Sequence, residues 1–160
     1  MPHLVEVDQS GKVEDTAKDT VLVFANGASY SVLIPATIKR AVYRELTNRG
    51  LREKEITIQF FSIGLYFLLR EHIADLRQVT IDTEYTGKNA LIKERLVSYL
   101  LRGRYPIEPA QISFGHIGKR SPAHVLSISV LRKAHKADLI LNIEQILAEF
   151  ESREERRKRK

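Results

Sequence analysis

The chain has 160 residues, a formal net charge of +6, 43% hydrophobic and 29% charged residues, and no cysteine. A domain of this size buries roughly two-thirds of the surface its unfolded chain exposes, and the composition is that of a globular rather than a disordered protein. The missing cysteines exclude disulfides and thiolate metal sites. No secretory pattern precedes the polar run 8–12, so the expected location is cytoplasmic.

The charge is uneven. Residues 151–160 carry six Lys or Arg against three Glu, whereas the rest of the chain carries 20 against 17. This divides the chain into an expected domain over 1–150 and a basic tail over 151–160, and favours a polyanionic partner only mildly. The most apolar window, 56–69, contains Gln59, Ser62 and Gly64 and is shorter than the roughly 20 residues of a membrane-spanning helix. It reads as a core helix.

In chain order, 4–8 is a short apolar run, 20–25 is a β-branched run ending at Asn26-Gly27, and 29–34 is a third run closed by Pro35. Asn-Gly between two such runs is a strong hairpin signal, so three antiparallel strands are expected. Ile38, Ala41, Val42 and Leu46 then follow helical spacing over 36–48, with Gly50 as the stop. A long helix over 53–76 and a strand over 79–81 come next, and the strand runs into Asp82-Thr83-Glu84-Tyr85. Leu91, Ile92, Leu96, Val97 and Leu100 mark a helix over 89–101. Pro106 and Pro109 precede a strand over 111–117, and one or more helices cover 123–150. No internal repeat or linker divides this order.

Asp8 ends the first of these strands and Asp82 the fourth. If the first strand is central with the fourth beside it, both side chains reach the same sheet edge. Carboxylates gathered there can hold two magnesium or manganese ions roughly 4 Å apart, the spacing used for in-line phosphodiester chemistry. Taken singly, each reads equally well as a turn or capping Asp.

The element order, together with Asp8-Gln9-Ser10 ahead of Gly11, Asp82-Thr83-Glu84-Tyr85, and the run from Gly115-His116 through His124 to Ala137-Asp138, resembles the type 1 ribonuclease H family. The resemblance implies an α/β fold of the ribonuclease H-like kind, with a mixed five-stranded sheet (three antiparallel strands, then parallel strands) flanked by helices. It implies a nuclease acting on RNA in RNA/DNA hybrids or a related nucleic acid, with Mg2+ or Mn2+ as cofactor. Asp8, Asp82 and Asp138 would be metal ligands, and His124 a mobile residue assisting product departure or proton transfer.

The family's remaining ligand is a Glu in the helix before the fourth strand. Glu55 is its topological match, Glu45 the competitor, and Glu84 a partial substitute. Ser10, Lys119 and Arg120 are the leading nucleic-acid contacts, ahead of Lys88, Lys93, Arg95, Arg102, Arg104, Arg132, Lys133 and the tail. The segment 102–109 leaves no room for the basic handle helix of some family members.

Two other readings stay open. The chain could be a catalytically silent nucleic-acid- or partner-binding module on the same fold, or an unrelated α/β domain whose acids are turn residues and whose 56–69 helix supports a homodimer. There is no glycine-rich phosphate loop, His-Glu-x-x-His motif or Gly-x-Ser-x-Gly elbow, and the five histidines show no metal-ligand spacing.

Overall fold

Strands β1 (His3–Ser10), β2 (Thr20–Asn26) and β3 (Ala28–Ile34) form the antiparallel half of the sheet in the computed structural model, which describes the backbone of residues 3–158 and the side chains of residues 3–150. β4 (Leu76–Asp82) lies parallel to β1, and β5 (Ile112–Gly115) parallel to β4. A short strand, β6 (Leu139–Ile140), adds to the far edge parallel to β3, giving the order β5-β4-β1-β2-β3-β6. The sheet therefore has six strands, not the five expected. The chain leaves β1 toward β2 and β3, then returns on the other side of β1 as β4. The gap between the carboxyl ends of β1 and β4 is thus the switch point of the sheet, where α/β proteins place ligands.

Strand alternation divides the two faces. On one face Val5, Val7, Leu22, Phe24, Val79 and Ile81 join the main core with residues of α1 (Ala36–Asn48), α2 (Glu53–Leu69), α3 (Asn89–Arg102) and α5 (Ile143–Lys158). On the other face Val21, Val23 and Ala25 pack with Ala123 and Val130 of α4 (Pro122–Leu131).

Every residue from Ile56 to Leu69 is buried. This helix is apolar all round because the sheet and the other helices enclose it. Its surface is consumed inside the chain, which removes the expected basis for a homodimer built on it. Gly64 is where it touches the sheet, since a Cβ there would lie 2.6 Å from Leu22 Cδ1.

Two segments depart from the expected pattern. The long helix stops at Leu69 rather than running to 76, because the chain turns through Ile73–Asp75 and enters β4 three residues earlier than the apolar run suggested. The segment 123–150, expected to hold one or more helices, holds parts of two with an unexpected strand between them: α4 ends at Leu131, Lys133 takes a positive φ of 62°, and residues 139–140 are strand. α5 then runs through position 150 to Lys158, so the expected domain–tail boundary falls inside a helix. Among the described residues no helix is long and apolar enough to cross a membrane.

Candidate metal centre

The parallel register of β1 and β4 pairs Val7 with Ile81. The next residue of each strand is an aspartate, and alternation turns both from the core face toward the α4 face. One carboxylate oxygen from each of Asp8, Asp82 and Glu84 lies within 4.8 Å of the others. The expected convergence of Asp8 and Asp82 is thus present, with Glu84 as the third acid.

Each acid is held differently. Asp8 is 4% exposed, and its Oδ2 faces His124 Nδ1 at 3.0 Å and accepts from Ser127 Oγ at 3.1 Å. A carboxylate only accepts, so with Asp8 ionised this contact has His124 donating from Nδ1, which leaves Nε2 as the ring's acceptor. Asp82 Oδ1 accepts from the Ile117 amide at 3.0 Å, while the Thr83 amide donates to Gly115 O, so the ends of β4 and β5 are tied together.

Glu84 has its pKa pushed up to about 7, chiefly by burial and then by the negative charges of Asp82 and Asp8, against a lowering from Lys12. A carboxyl that retains its proton near neutrality beside two other acids is what crowding of like charges produces.

α4 delivers His124 and Ser127 because its start is fastened. Ser121 caps the helix by accepting from Ala123 N at 3.3 Å, donates its own hydroxyl to Glu6 Oε1 at 2.8 Å, and is followed by Pro122 in the first turn. Glu6 and Asp8 share the strand face beneath α4, so the two contacts lock the helix start to β1.

The loops after β1 and β4 touch each other. Glu14 Oε1 accepts from the Tyr85 hydroxyl at 3.1 Å, and both residues line a cavity of about 420 Å³ with Glu53, Thr57, Ile58 and Lys88. Lys119 and Arg120 are exposed in the turn leading into α4, and Ser10 ends β1 paired with Val21.

Three expected acids lie elsewhere. Asp138 is not on a helix: its Oδ2 accepts from Ser31 N at 2.8 Å and Ser31 Oγ at 3.1 Å, and its amide donates back to Ser31. Ser31 shares a row across the sheet with Val23 and Asp8, two strands from Asp8 and so about 10 Å away. Asp138 fastens β6 and is absent from the acidic group. Glu55 is exposed in the first turn of α2, 3.9 Å from Arg52, and Glu45 accepts from Arg49 along α1. Neither joins Asp8 and Asp82.

Ser127, Lys12 and Lys39 were not singled out from the sequence. Ser127 lies three residues after His124, one helical turn on, which was the available signal. Lys39 precedes Val42 by three and Leu46 by seven, placing it on the buried stripe of α1.

The donor set consists of carboxylate oxygens, with an imidazole nitrogen at its edge and no thiolate in the chain. These are ligands for a hard divalent cation such as Mg2+ or Mn2+, so the residues fit the cofactor. Comparison of the chain with family models, with curated proteins and with solved structures gave no match.

Proposed function

We propose that the protein is a metal-dependent nuclease of the ribonuclease H-like kind, cutting RNA in RNA/DNA hybrids or a related nucleic acid. The observation that carries this reading is the gathering of Asp8, Asp82 and Glu84 at the switch point of the sheet, with α4 buttressing Asp8. The sheet order and its mixed strand directions agree with that fold.

Asp8, Asp82 and Glu84 would hold Mg2+ or Mn2+, in place of the set with Asp138 and Glu55. The cation, when bound, supplies a Lewis acid for the phosphoryl oxygens and lowers the pKa of water. The chain's own contribution is orientation and proton handling. Asp8 holds the His124 ring through Nδ1, leaving Nε2 to take or give a proton at the scissile group. Lys119 and Arg120 contact phosphates at the mouth of the site.

The test is cleavage of a labelled RNA/DNA hybrid with Mg2+ or Mn2+, with single-stranded and duplex controls. Wild-type protein is expected to cut and Asp82→Asn to fall by at least a hundredfold. Hybrid binding without cutting under either metal overturns the catalytic reading and favours the silent binding module.

A further inference from the structure

The nine residues between β1 and β2 are held on α1 by an unusual clasp. Lys39 is fully buried at 0% exposure, and its Nζ donates to Lys12 O at 3.1 Å, Asp15 O at 2.6 Å and Thr20 Oγ1 at 2.9 Å. The Thr20 hydroxyl in turn donates to Gly11 O at 2.6 Å. Arg40 donates to Thr16 O at 2.8 Å, the Ala36 amide at the start of α1 donates to Asp19 Oδ1 at 2.8 Å, and Val13 is sunk in the core.

Gly11 closes the mouth of the loop at φ +75°, where a Cβ would lie 2.1 Å from Asp19 O. Burying an ammonium is costly, and its pKa is driven down to about 8 by desolvation, with Asp15 and Asp19 opposing the fall. The buried charge is thus used to immobilise the main chain of one surface loop.

The loop presents Lys12. Its side chain is exposed, and its Nζ stands 5.8 Å from the centre of the ring of Tyr85, the residue that follows Glu84 in the chain. Tyr85 is in turn fixed by Glu14 of the same loop and by edge contact with Phe61. A lysine is a compact point charge suited to a phosphate oxygen and cannot ligate a metal while protonated. Carried on an immobilised loop beside the acidic centre, it offers a polyanion a further cation besides Lys119 and Arg120.

We propose that Lys12 contacts the substrate phosphate at the candidate metal centre, and that Lys39 is the positioning residue that holds it there. The inference rests on the nuclease reading and adds to it a cation that this reading does not use.

The experiment measures two equilibria for wild type, Lys12→Gln and Lys12→Arg: Mn2+ affinity without nucleic acid, and binding of a labelled RNA/DNA hybrid across a range of NaCl. Lys12→Gln is expected to weaken hybrid binding on the order of tenfold and to lower the salt slope by about one. Its Mn2+ affinity should hold or tighten because a neighbouring positive charge is gone, and Lys12→Arg should restore hybrid binding. A general loss of structure would weaken both equilibria together.

Lys39→Met, checked for folding by its thermal transition, is expected to reproduce the hybrid defect, and combining it with Lys12→Gln should add little. Unchanged hybrid affinity and salt slope in Lys12→Gln overturns the assignment of Lys12, whatever its Mn2+ affinity. A hybrid defect in Lys12→Gln that Lys39→Met fails to share overturns the role of Lys39. Failure of the nuclease reading appears separately, as wild-type protein that does not cut with either metal.

Discussion

Glu84 gives the site a pH signature. Its folded pKa of about 7 lies above the ordinary value of 4.5, so between these limits the folded protein keeps a proton that the unfolded chain has released. Glu84's contribution to the stability of the metal-free protein is therefore most favourable at the acid end of this window and is lost as pH rises through about 7. Thermal unfolding in EDTA should show that decline, and Glu84→Gln should flatten it. A divalent cation competes with the same proton, so stabilisation by Mg2+ should be larger at about pH 8 than at about pH 6.

Ser127 makes a second prediction at this scale. It is fully buried and donates to the Asp8 oxygen that His124 also faces. Ser127→Ala should leave the fold intact while lowering Mn2+ affinity roughly 10- to 100-fold, as loss of a group that orients a metal ligand does. Calorimetric titration is the measurement, and an unchanged affinity would show that His124 alone suffices to orient Asp8.

Among the elements, the segment from α4 to α5 differs most from its sequence signal. The sequence over 123–150 reads as one or more helices with no strand among them. What interrupts them is the left-handed Lys133 and the reciprocal bonding of Asp138 to Ser31, a partner 107 residues away that no local pattern reveals. Asp138→Ala should cost about 1–3 kcal/mol by leaving the buried Ser31 groups unpaired, with Mn2+ affinity unchanged. Denaturant unfolding and metal titration of this variant separate a strand fastener from a metal ligand. The antiparallel strands, by contrast, were legible because short apolar and β-branched runs and the turn at Asn26-Gly27 are local signals. For α2 the pattern reported burial correctly but not its partner. Gly64→Val should cost about 1–3 kcal/mol through overpacking against Leu22.

At the scale of the whole molecule, parallel pairing of β4 with β1 turns two distant aspartates into neighbours, and α4 returns across the same face to hold one of them. Asp8 and Asp82 could be found in the sequence because each ends an apolar run, and their meeting follows from strand order. Glu84 was seen as a partial substitute, but its standing as the third acid depends on how the loop after β4 folds back. Asp138 was misplaced because an acid beside an apolar run looks the same whether it faces a metal or a backbone amide.

The direct test of the centre is a Mn2+ soak of crystals of the protein, with the anomalous difference map measured above the manganese absorption edge. A peak bounded by the carboxylates of Asp8, Asp82 and Glu84, absent in Asp82→Asn, is the predicted result. A map with no peak there at saturating Mn2+, or a peak at Asp138 or Glu55 instead, would contradict the account.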